Sequence, residues 1–145
     1  MKEGKKKIAS GALLPYEIVR QLQSRNSVAE LEQVAELQWI SYVDKLKQSG
    51  LFASALSVCD VSGSMSGLPM EAAISLSLLT AALSQPPFKG VICTFSAEPE
   101  LQVVDQPTLK EKIQFTEEMD DGMNTNLRVL FLFDLIVMLR ILTSF

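Results

Sequence analysis

The sequence predicts an α/β protein whose parallel sheet carries one antiparallel hairpin edge and is preceded by a helical segment. Three observations carry this prediction. Two apolar strand-like runs, Ala53 to Val58 and Lys89 to Ser96, flank a helix-length stretch rich in Ala, Leu and Ser, the strand–helix–strand spacing of a parallel pair. A third run, Glu100 to Val104, follows after only Ala97-Glu98-Pro99, too short for a crossover, so it returns antiparallel. Upstream, apolar residues recur every three or four positions, the period of a helix. The chain thus divides into a helical segment, residues 1–50, and an α/β part, residues 51–145. Its 145 residues allow one main core, and 48% hydrophobic with 21% charged residues is a globular balance.

Taken in order, Lys2 to Lys7 reads as a solvated, solubilising basic tip; as a functional feature it would suit contact with RNA or a membrane surface. A net charge of -4 argues against phosphate-dominated binding by the chain as a whole. No apolar leader follows the lysines, so a cytoplasmic protein is expected. Pro15 opens a short helix to Ser24, proline being suited to a first helical turn. Ser27 and Glu30 have capping-box spacing and predict a long helix to about Gln48. Its apolar stripe is Val28, Leu31, Val34, Ala35, Leu37, Ile40, Val43 and Leu46, extended by Trp39 and Tyr42, and Ser49-Gly50 ends it.

The first strand then leads into Asp60-Val61-Ser62-Gly63-Ser64-Met65-Ser66-Gly67, and a helix starts at Pro69 or Met70 and runs to Leu83. Gln85-Pro86-Pro87 stops it. After the two further strands, Leu109, Ile113 and Met119 mark a helix over residues 107–119, and an apolar helix is expected from Leu127 to Leu142. Asp134 and Arg140 interrupt that last run, which favours a core helix over a membrane anchor. Cys59 and Cys93 both fall in strand-like runs and read as buried, reduced thiols.

The chain has no histidine, which excludes Ser-His-Asp and Cys-His catalysis and any His-bearing zinc site; two cysteines cannot form a four-cysteine site. There is no phosphate-binding Gly-x-x-x-x-Gly-Lys element, and no nucleophile stands beside an activating base, so no enzymatic activity is expected. Asp60, Ser62 and Ser64 alternate along what reads as an extended turn and bring three oxygen donors together. Hard oxygen donors suit Mg²⁺, with Mn²⁺ as the alternative ion; Gly63 and Gly67 let the backbone turn tightly. The competing reading is a polar turn whose hydroxyls cap the next helix. In Gly122-Met123-Asn124-Thr125-Asn126 the Thr125 hydroxyl suits a helix cap; Asp120 and Asp121 beside it read as solvated loop acids.

Asp60-x-Ser62-x-Ser64 after a buried strand resembles the metal-ion-dependent adhesion site of von Willebrand factor A domains. Lys6 to Pro15, Val34 to Trp39, Cys59 to Gly67 and Met119 to Thr125 together resemble a plant family of uncharacterised proteins that carry such a domain near the C-terminal end. The resemblance implies a von Willebrand A-like, Rossmann-type sheet, with metal ligands Asp60, Ser62, Ser64 and Thr125. It also implies a protein partner whose carboxylate completes the metal shell. The family pattern has a later strand ending in an aspartate; here the chain reaches Phe145 without one, Asp134 lies within the apolar helix, and Asn126 stands where the family has an acid. A truncated domain with an open sheet edge is therefore expected. The alternatives are a degenerate, metal-free fragment, or a ribonucleoprotein-associated component suggested by a looser likeness to RNA-binding ring proteins of the Ro class.

Overall fold

Proline needs no N–H partner at a first helical turn, and Pro15 starts α1 (Pro15–Gln23) in the computed structural model, which describes residues 13–119 together with Arg128, Phe131, Leu132, Leu135, Ile136 and Leu139. The Leu14 N–H ahead of it donates to Glu17 Oε2 at 2.7 Å, and Ile18, Val19 and Leu22 form the buried face.

α2 spans Ala29–Gln48, but it does not begin with the expected capping box. Val28 takes the cap position, and the Ser27 hydroxyl instead donates to Glu32, which also receives Lys110 from the far end of the chain. A tertiary ion pair has replaced the local cap. The expected stripe is corrected as well. Ala35 and Trp39 are buried, and Tyr42, Val43 and Leu46 pack against the core. Val28, Leu31, Val34, Leu37 and Ile40 are exposed. At 100° per residue those apolar positions spread around most of the helix, whereas α2 packs on the rest of the chain along one side.

The first strand, β1, is Ser57–Cys59, shorter than expected. Residues 51–54 are turns, with Phe52 at φ 61°. The carbonyls of Phe52, Ala55 and Thr80 all lie within hydrogen-bond reach of the buried Ser84 hydroxyl, and Gln85 N–H takes that of Ala53. Those carbonyls are engaged away from any strand ladder.

β2 (Val91–Thr94) pairs parallel with β1, and β3 (Leu101–Val103) pairs antiparallel with β2, giving the order β1-β2-β3. The mixed α/β class and the hairpin edge therefore stand as read from the sequence. Among the described residues, β1 is an edge strand.

Between β1 and β2 runs α3 (Leu68–Leu83), whose small Ser and Ala residues allow close packing on the sheet; Ser57 Oγ on β1 donates to Ser77 Oγ at 2.8 Å. Its buried hydroxyls are otherwise satisfied by their own helix, Ser75 on the Ala72 carbonyl and Thr80 on that of Leu76. α4 (Leu109–Glu117) carries the capping box the sequence reading did not pick out, Thr108 with Glu111.

One core joins these elements. Ile18, Val19 and Leu22 of α1 and Ala35 and Trp39 of α2 cluster with Cys59, Ile74, Leu78, Ile92, Leu109 and Ile113. Of the expected helix Leu127–Leu142, only Arg128, Phe131, Leu132, Leu135, Ile136 and Leu139 are described; they are helical, and their side chains are exposed. Asp134, Arg140 and the basic tip Lys2–Lys7 lie outside the described residues. Among the described residues, no helix is long and apolar enough to cross a membrane.

Candidate metal site

β1 delivers Asp60 at the carboxyl end of a parallel strand, where ligands of such sheets gather. The pairing holds to the last residue, since Phe95 N–H donates to the Cys59 carbonyl at 3.2 Å. Asp60 Oδ1 then accepts the Ser62 N–H at 2.9 Å, an Asx turn that bends the chain sharply. The turn is not extended, as the alternation suggested. Gly63–Met65 forms a 3-10 turn, with Met65 N–H on the Ser62 carbonyl at 2.9 Å.

That turn brings the two hydroxyls together: Ser62 Oγ lies 3.0 Å from Ser64 Oγ. Val61 is buried in the core, Asp60 and Ser62 are half-buried, and Ser64 is exposed, so the oxygens open to solvent above an apolar plug. Among the described residues, the other Asp60 carboxylate oxygen accepts no hydrogen bond. Gly67 stands at φ 85° and ψ -142°, a conformation open to glycine, although a Cβ there would meet nothing within 4 Å. Gly63 has neither a left-handed φ nor a close neighbour, so the turn does not require glycine there.

Among the described residues, no three Cys, Asp or Glu side chains gather. The donor set here is instead hydroxyl-rich around one carboxylate. Cys59 adjoins Asp60 and is buried. Burial pushes its thiol pKa up and the charge of Asp60 adds to that, against a lowering hydrogen bond with Ser77. Cys59 and Cys93 are both buried and neither is in a disulfide, as their apolar settings predict.

A second hydroxyl pair escaped the sequence reading. At the end of β2, Thr94 Oγ1 lies 3.2 Å from Ser96 Oγ, and both are buried. Glu100 N–H donates to Thr94 Oγ1 and Ser96 Oγ donates to the Glu98 carbonyl, so the pair shapes the β2–β3 turn. Its sequence signal was Thr94-x-Ser96 at a strand end in register with Cys59. Thr125, Asp120, Asp121 and Asn126 lie outside the described residues.

Residues 54–142, more than half of the chain, match a family model described as Domain of unknown function (DUF7788). The chain belongs to this family. Residues 1–52 match a second model, Domain of unknown function (DUF2828), so the DUF7788 segment carries β1, the Asp60 loop, α3, β2, β3 and α4, while α1 and α2 fall in the other match. Uncharacterized protein L728 of Acanthamoeba polyphaga mimivirus is 32% identical over 131 residues, covering 90% of this chain and 22% of that protein. The chain thus spans about a fifth of the length of the curated relative it matches. No solved structure matches.

Proposed function

We propose that the Asp60 loop is a divalent-cation site of the metal-ion-dependent adhesion type within a von Willebrand A-like domain, and that the chain is a non-enzymatic interaction module. Ser62 and Ser64 would hold Mg²⁺ or Mn²⁺ directly, and Asp60 directly or through water, with Thr125 as the sequence candidate for a further ligand. The supporting observation is the spacing of the hydroxyls. Two neighbouring ligands in an octahedral Mg²⁺ shell, each about 2.1 Å from the ion, stand about 3.0 Å apart. Ser62 Oγ and Ser64 Oγ are 3.0 Å apart. One carboxylate leaves such an ion short of negative charge, which favours a partner that presents a carboxylate of its own.

The same hydrogen bond favours a second reading, a metal-free polar turn in which the hydroxyls satisfy each other. Titration calorimetry with Mg²⁺ and Mn²⁺ on the wild type and Asp60→Ala separates the two. Binding heat in the wild type that Asp60→Ala abolishes supports the cation site. An absence of heat in the wild type leaves the metal-free turn.

A further inference from the structure

The stretch that carries the hydroxyls is exposed between two buried anchors. Val61 is 7% exposed and Glu71 is 9% exposed, and none of residues 62–70 between them is buried. Val61 is an apolar plug in the core. Glu71 is a carboxylate in the first turns of α3, and such a group is buried at a cost unless a counter-charge meets it.

Arg20 of α1 supplies that charge, 51 positions away in sequence. Its Nε donates to both Glu71 oxygens, at 3.0 and 2.9 Å, and its Nη2 lies 2.7 Å from Oε2. The two partners differ in exposure. The Arg20 side chain is 54% exposed and the Glu71 side chain 12%, so loss of the arginine leaves the more buried charge without its partner. Arg20 is itself well placed to hold position. Its helix buries Ile18, Val19 and Leu22 against α3, and the guanidinium sits 5.7 Å from the centre of the Tyr16 ring.

Main-chain hydrogen bonds run from Glu71 back to the hydroxyls. Glu71 N–H bonds the Gly67 carbonyl at 3.1 Å, Ser66 N–H that of Gly63 at 3.4 Å, and Met65 N–H that of Ser62 at 2.9 Å.

We infer that the Arg20–Glu71 pair is a latch through which α1 positions the Asp60 loop. Holding the Glu71 carboxylate fixes the first turn of α3, and that turn fixes the spacing of Ser62 and Ser64. The N-terminal helices therefore regulate the loop in cis, and any partner that draws α1 away from α3 loosens it. The effect on ion affinity rests on the cation-site reading; the effect on loop order does not.

The test uses the full chain as wild type, Arg20→Gln, and the charge-swapped pair Arg20→Glu with Glu71→Arg. Amide hydrogen exchange without metal is compared between residues 62–71 and β2, and Mn²⁺ affinity is measured by calorimetry. Arg20→Gln is expected to speed exchange in 62–71 by about 10-fold while β2 changes little. It should weaken Mn²⁺ by about 10-fold or more, as loss of a supporting contact around a metal site does. The swap should recover part of both effects. Unchanged exchange in 62–71, or an equal rise in β2, overturns the latch.

If Asp60→Ala abolishes Mn²⁺ binding while Arg20→Gln keeps wild-type affinity and exchange, the site stands and the latch falls. If the wild type binds no Mn²⁺, the cation reading falls and exchange alone decides the latch. Should Arg20→Gln fail to fold, Arg20→Lys takes its place, because it keeps the charge but loses the planar two-point contact; the same two exchange outcomes then decide.

Discussion

Glu36 of α2 accepts a hydrogen bond from the Leu109 N–H at 2.9 Å, so a side chain of the second helix caps the first turn of the last fully described one, 73 positions later. A carboxylate at a helix N-terminus satisfies an otherwise orphaned donor and meets the positive end of the helix dipole. Glu36→Ala is expected to destabilise the chain by about 1–2 kcal/mol, and Glu36→Gln by less, since the amide keeps the acceptor but not the charge. Urea denaturation at neutral pH measures both.

One turn earlier on the same helix, Glu32 pairs with Lys110. The Lys110 hydrogen bond and then that of Ser27 hold its carboxyl below the ordinary carboxylate range. A lowered folded pKa contributes stability above the unfolded value, about 4.3, and loses it as pH falls through the lower folded value. The wild type should therefore lose more of its urea midpoint between about pH 7 and about pH 3 than Glu32→Gln does. Equal losses in both would remove Glu32 from the acid response.

Gly67 is the residue whose backbone angles turn the loop into α3. A Cβ at that position has open space around it, so the cost of Gly67→Ala is conformational alone. We expect a loss of about 1–3 kcal/mol in thermal or urea unfolding. Gly63→Ala, at a position with no left-handed φ, should cost clearly less in the same assay.

A thiol at an oxygen site changes which ions it prefers. If the Asp60 loop holds a hard cation, Ser64→Cys should weaken Mg²⁺ binding by about 10-fold or more and strengthen Zn²⁺, because thiolate is a soft ligand. Ser64→Ala should lose Mg²⁺ without gaining Zn²⁺. Calorimetry with both ions on the two variants reads the difference, and identical behaviour of the two would place Ser64 outside the metal shell.

Much of this molecule is legible in its amino-acid order. Strand, oxygen loop, Ala- and Ser-rich helix, strand and hairpin all follow from local rules: periodicity, proline and glycine punctuation, and connections too short for a crossover. The helix limits at Pro15, Gln48 and Leu83 agree closely with the expected ones. Asp60, Ser62 and Ser64 stood out because three oxygen-bearing residues alternate after a buried strand.

What the tertiary structure alone decided are choices between groups distant in sequence. Ser27 gave up its cap to bond Glu32, which pairs with Lys110, and Ser84 drew the carbonyls before β1 out of reach of a ladder. The outward half of the α2 stripe found nothing to cover it among the described residues. The Asp60 loop itself was readable as residues but not as a supported site. Its 3-10 turn and its oxygen spacing appear only in the folded chain, and its buried anchor at Glu71 is paired with Arg20, a helix away. Local sequence sets which groups are available; burial, which makes an unpaired charge or carbonyl costly, decides which of them meet.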